Sequence, residues 1–168
     1  MRRILTPGVL VDIRHETKVS LAALCTAWFA TLVLLLCVAS LPGSARAEQT
    51  PSPPGAEEYI IWPADGAVIH GGKLWVRMGL RNMGVCPKGV AIPNTGHHHL
   101  LIDTDLPPLD QEIPSDRNHL HFGAGETDAR IELPPGKHTL QLILGDHNHV
   151  PHVPPVYSKK ITITVLKD

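Results

Sequence analysis

From residue 59 onward the apolar residues come in short runs that alternate with polar ones, and nearly every run is closed by proline or glycine. A helix needs apolar residues at intervals of three and four over ten or more positions, and no stretch here supplies them. Lys73 to Arg81 shows the pattern most clearly: Leu74, Val76, Met78 and Leu80 alternate with Trp75, Arg77, Gly79 and Arg81, the period of a half-buried strand. His138 to Leu144 and Lys160 to Leu166 repeat it, and Gly71-Gly72 and Pro134-Pro135-Gly136 mark the turns before the first two. Shorter candidates are Glu58 to Trp62, His97 to Ile102, His119 to Phe122 and Arg130 to Leu133. About seven short strands joined by turns predict an all-β domain, an immunoglobulin-like β-sandwich rather than a closed barrel.

The domain begins late in the chain. Arg2, Arg3, Arg14 and Lys18 precede an apolar run from Leu21 to Leu41, and Ser44-Ala45-Arg46-Ala47 offers an Ala-x-Ala cleavage site. Residues 1–47 therefore read as a signal peptide cleaved near Ala47, which sends the product to the periplasm or outside the cell; left uncleaved, the same run is long enough to anchor in a membrane. Residues 48–58 are rich in Pro, Ser, Gly and Glu without apolar period, and read as a flexible, disordered tether. Residues 59–168 then form one domain.

Removing Arg2, Arg3, Arg14, Lys18 and Arg46 from the fifteen basic residues, and Asp12 and Glu16 from the sixteen acidic ones, leaves ten against fourteen. With no basic run in that segment, nucleic acid is excluded as a partner class. Of the three cysteines, Cys25 and Cys37 depart with the signal, so Cys86 is alone and the exported domain has no internal disulfide. It reads as a small buried residue rather than a soft ligand beside Met78 and Met83. Trp62 and Trp75 read as core or edge packing.

Ten of the eleven histidines lie between His70 and His152, and eight fall in three clusters: His97-His98-His99, His119 with His121, and His147, His149 and His152. Imidazole is the commonest ligand for borderline transition metals. On a strand, His97 and His99 share a face about 7 Å apart while His98 points the other way. His119 and His121 repeat that spacing, so pairing the two strands brings four imidazoles to one sheet face. The third cluster follows a strand and belongs to a loop at the end of the sandwich, where binding residues commonly sit. It adds His149 and His152, with Asp146 as a ligand or as an acceptor that fixes an imidazole tautomer. His97, His99, His119, His121, Asp146, His149 and His152 are thus the candidate metal ligands. His70 and His138 sit beside turns and read as solvent-side residues. The competing interpretation is that all three clusters hydrogen-bond loops together without an ion.

Asn94-Thr95-Gly96-His97-His98-His99-Leu100-Leu101-Ile102-Asp103, His121-Phe122-Gly123 with Gly125-Glu126-Thr127, and Pro135-Gly136-Lys137-His138-Thr139-Leu140-Gln141-Leu142 running on through Gly145-Asp146, His149, Pro151-His152 and Pro154-Pro155 carry a further observation. With Met83-Gly84-Val85 and Pro87 to Val90, they resemble the bacterial secreted proteins grouped as domain of unknown function 4399. The resemblance covers nearly all of Val85 to Val165 and implies an exported β-rich domain with no named reaction. Cys86 stands where that pattern has a small residue.

The leading functional expectation is a periplasmic domain that binds a divalent transition metal, copper or zinc, without catalysis. A second is an envelope structural or interaction module, docking another envelope protein, whose histidines hydrogen-bond or sense pH. A third is a metalloenzyme with a histidine-ligated site. A hydrolytic zinc site needs an open position and a general base, for which Glu126 and Asp103 are the nominal candidates.

Overall fold

The computed structural model describes residues 48–167; the expected signal peptide lies outside them. Nine strands occur in chain order among the described residues: β1 (Glu57–Trp62), β2 (Val68–His70), β3 (Lys73–Arg81), β4 (Gly84–Val85), β5 (Thr95–Ile102), β6 (His119–His121), β7 (Asp128–Glu132), β8 (Gly136–Gly145) and β9 (Ile161–Leu166). The seven strands read from the sequence are all present. β2 and β4, of three and two residues, are too short to show any alternation.

The strands form two sheets. One has the order β1-β3-β7, and the other β2-β9-β8-β5-β4, with β6 also paired to β5. The first, third and seventh strands thus share one layer, while β5, β8 and β9 form the centre of the other. This is the immunoglobulin-like division of strands A, B and E from C, F and G. β2 joins β9 in parallel and so lies in the second layer, although β1 just before it lies in the first.

The alternation of the sequence explains the core. Leu74, Val76 and Met78 of β3 face Leu100, Ile102, Leu140, Leu142, Ile163 and Val165 of the second sheet, all buried in one cluster. Full burial of such a side chain stabilises by about 1.5–3 kcal/mol relative to exposure. β5 and β8 are buried on both faces: Leu101 and Ile143 point away from the main core and pack against Ile113, with Leu106 and Leu109 beside them. That second, smaller cluster puts residues 103–118 over the outer face of β5. One end of the same outer face carries the histidines.

Two sequence expectations are corrected here. The segment 48–58 is not a free tether. Gln49 Nε2 donates to the carbonyls of Leu109, at 2.6 Å, and Pro151, at 2.8 Å, the backbones of Thr50, Ser52 and Val153 exchange hydrogen bonds, and β1 already begins at Glu57. Its polar residues dock by hydrogen bonding rather than by apolar burial, so hydropathy gave no sign of it. Of the core or edge packing expected for Trp62 and Trp75, the core alternative is the one corrected: they are 46% and 54% exposed.

Candidate metal centre

β5 pairs with β8 on one side and β6 on the other, in registers that place His97 opposite Gly145, His99 opposite Ile143, and His99 also opposite His121. Directly opposed residues of antiparallel strands project to the same face. His97, His99 and His121 therefore rise together from the outer face of the sheet, and the loop after β8 brings His149 over them. The ring centroids of His97 lie 5.0 Å from His99, 5.0 Å from His121 and 5.1 Å from His149. His121 is 4.9 Å from His99 and 4.7 Å from His149, while His99 and His149 are 6.1 Å apart. One ring nitrogen from each of His97, His99 and His121 lies within 4.8 Å of the other two.

Glycines make the room. A Cβ at Gly145 would stand 2.9 Å from His99 Nε2 and 3.3 Å from Ile113, and one at Gly123 would collide with the His121 ring. A side chain at either position would push an imidazole out of the group.

The imidazole nitrogens have almost no partners within the protein. Both nitrogens of His97 and of His99, and Nε2 of His121 and His149, are buried without a hydrogen bond. A buried polar atom left unpaired costs about 1–3 kcal/mol, and folded proteins leave few of them. Six lie in one site on four rings, and a cation taking one lone pair from each ring accounts for four of them. The electrostatics agree with that use. Burial, together with the charges that His121 and His149 would carry, pushes the His97 imidazole down to about 4. Burial and the neighbouring imidazoles take His99 down to about 2. His121 is lowered by burial, by His149 and by Lys88. These three rings are neutral at pH 7, the form that binds metal.

His149 is held by two features. Its backbone is left-handed, φ 63°, and its N–H donates to the Asp146 carbonyl at 2.9 Å. Its Nδ1 lies 3.3 Å from Glu112 Oε1, which places the Nδ1 proton toward the carboxylate and leaves the buried Nε2, which has no partner in the protein, as the nitrogen free to ligate. An acceptor behind a ligating imidazole fixes its tautomer and orientation. Sequence reasoning missed Glu112, which lies in an aperiodic loop.

The remaining candidates are placed elsewhere. His119 projects to the same face, opposite Leu101, but its Nδ1 bonds Asp116 at 2.9 Å, and it makes none of the ring contacts that join the four. Asp146 is buried within its loop. Its Oδ1 accepts from the backbone N–H of Asn148 and Val150, at 2.8 and 3.0 Å, and its Oδ2 accepts from the Thr50 hydroxyl at 3.2 Å. It shapes the loop that carries His149, and Asp before a tight turn is the signal that points to this. His152 Nδ1 lies 2.8 Å from the same Thr50 hydroxyl, and its Nε2 is 2.9 Å from the point where a Gly96 Cβ would stand. Gly96 shares its face with His98, so His152 is on the opposite side of β5 from His97 and His99.

His98 points into the sandwich, its Nδ1 2.6 Å from Glu58 Oε1 of β1. His138 is not a solvent-side residue. It is buried, and its two ring nitrogens donate to Asp103 Oδ2 at 2.7 Å and the Pro134 carbonyl at 2.8 Å. Cys86 is buried, with its Sγ 3.7 Å from the Val90 carbonyl.

Among solved structures, the chain is similar to the endo-beta-1,4-mannanase from Thermotoga petrophila at 14% identity and a TM-score of 0.39, over 67% of this chain and 20% of that one. It thus spans about a fifth of the mannanase. It is also similar to the fibronectin(III)-like modules of Clostridium thermocellum CbhA, at 13% identity and a TM-score of 0.35, over 66% of this chain and 96% of that one. No curated protein matches the sequence. A family model does: Domain of unknown function (DUF4399) matches residues 76–166, which is more than half of the chain and includes all four converging histidines, and the protein belongs to that family.

Proposed function

We propose that this is an exported, non-catalytic domain that binds one divalent transition ion, copper or zinc, through His97, His99, His121 and His149. The observation that carries the reading is the convergence of four imidazoles whose buried nitrogens find no partner in the protein. An all-imidazole, thiolate-free set suits Cu(II) and Zn(II), and the intrinsic order of affinities favours copper in competition. The non-catalytic part rests on the carboxylates. Asp103 is engaged with His138 and the Thr139 N–H, Glu126 accepts from the Ala124 N–H, and Glu112 backs His149. None is left as a general base beside the ion.

The test is elemental analysis of the exported domain purified without a polyhistidine tag, followed by titration with copper and zinc against a competing chelator. The expected result is one equivalent held against the chelator, and its loss when His97 and His99 are both changed to Ala, with the thermal transition of the variant confirming that it folds. Full affinity in the double variant overturns the ligand assignment. His98, His119, His138 and His152, each hydrogen-bonded to an acid or a hydroxyl, have structural roles in this account.

A further inference from the structure

The four imidazoles are not sealed from solvent. A cavity of about 350 Å³ opens onto them, lined by His99, His121 and His149 together with Lys88, Glu112 and Ser115. His97 and His99 form the buried floor, while His121 and His149 are half-buried at the rim. An ion held by the floor and rim therefore presents its remaining side to this cavity.

The charge of such a site is unbalanced. Four neutral imidazoles leave a divalent ion with its full charge, and the ion becomes the largest local charge. Glu112, the carboxylate lining the cavity, already accepts from His149. Lys88 adds a further positive charge, and among the described residues no carboxylate lies within ion-pairing distance of it. Its backbone is fixed between two parts of the site: Lys88 N–H donates to the Gly123 carbonyl at 2.9 Å, and Gly89 N–H donates to that of His147 at 3.1 Å. The Lys88 side chain runs beside the His121 ring, since Lys88 Cδ and that ring meet the same point above Gly123. The Lys88 side chain thereby lines the cavity that opens onto the imidazoles.

We infer that the bound ion carries a small exogenous anion on its cavity side, a monoanion of carboxylate or bicarbonate size, with the Lys88 ammonium as its second contact. The inference rests on the four-imidazole metal reading and adds a ligand to it. A donor set without protein carboxylates, a cavity of small-ligand size and an unpaired lysine at its wall are its three supports.

Azide, a small monoanion, is the probe, added to the copper-loaded, tag-free domain and followed by the azide-to-copper charge-transfer absorption and by the copper EPR spectrum. The expected result is one saturable azide per copper, displaced by acetate or bicarbonate. Lys88→Gln should weaken azide about tenfold, the scale of one near-surface charge contact, with copper content unchanged. Lys73→Gln, on the three-stranded sheet, should leave azide affinity as it is. A domain that holds copper but shows no azide-dependent change overturns the anion site, and equal azide affinity in Lys88→Gln overturns the role of the lysine. Failure to retain copper, seen before azide is added, overturns the metal reading and this inference together.

Discussion

His98 Nδ1 and Glu58 Oε1 lie 2.6 Å apart, joining the two sheets from one strand of each, and solvent reaches neither side chain. Burial pushes the Glu58 carboxyl up to about 7, against the opposing pull of the hydrogen bond and charge of His98. His98 sits between His97 and His99, two of the proposed ligands, so this pair fixes the strand on which the candidate site is built. Removing one member of a buried pair leaves the other without a partner, which costs about 3–5 kcal/mol. Glu58→Ala is expected to lose about that much in chemical denaturation, whereas Glu58→Gln, which keeps a hydrogen-bonding group of the same size, should lose clearly less. Equal losses in both would show that packing, not the polar contact, holds the sheets at this point.

Gly145 stands opposite His97 with the His99 ring against it. Gly145→Ala places a methyl group 2.9 Å from His99 Nε2, closer than such contacts occur, and the ring at the end of its side chain is what can move. The expected outcome is metal affinity reduced about tenfold or more, by analogy with the loss on disturbing groups that orient ligands, with a thermal midpoint close to that of the parent apo-domain. Unchanged affinity in a chelator competition would mean that His99 is not held against Gly145 in the metal-bound state.

Glu112 lies in a loop, and its side chain is 72% exposed, so it contributes little to folding. Its position behind His149 gives it a different use. Glu112→Gln is expected to lower metal affinity by about 10-fold to 100-fold, the range seen for carboxylates behind ligating histidines, with the unfolding transition unmoved. Paired isothermal titration and thermal melts separate the two effects.

His138 supplies the pH dependence. Burial lowers its imidazole, but hydrogen bonds to Asp103 and to the Pro134 carbonyl outweigh that, and the folded value is raised above 6.5. Both partners are acceptors, so the fold favours the doubly protonated ring. A group raised on folding contributes stability that is fully present below its unfolded value, near 6.5, and is lost as pH rises through the folded value. The difference in thermal midpoint between parent and His138→Gln should therefore be largest in mild acid and shrink above neutrality. A difference that grows with pH would contradict the protonation assigned to this ring.

How much of this was visible in the sequence follows from what kind of force places each residue. β3, β8 and β9 were legible because each buries one face, and burial writes period two into the chain. The His97 and His99 pair was legible for the same reason, and so was the possibility that β6 lies beside β5, though not its register, which aligns His121 rather than His119 with His99. Glu112 and Lys88 reach the site from loops that carry no period, so nothing local marked them. The docking of Thr50 and its neighbours left no mark in the sequence because hydrogen bonds to loop carbonyls leave no hydropathic trace. Asp146 was legible as important but not in kind, since a carboxylate beside histidines suits either a ligand or a turn, and its two backbone N–H partners decide for the turn.

The central claim is that four imidazoles hold one ion, and X-ray absorption at the metal edge of the tag-free domain loaded with one equivalent of zinc tests it most directly. The account predicts a shell of nitrogen scatterers at roughly 2.0–2.1 Å, with the outer-shell multiple scattering of several imidazole rings, both reduced in His121→Ala. A first shell dominated by sulfur, or by oxygen without imidazole scattering, would contradict it.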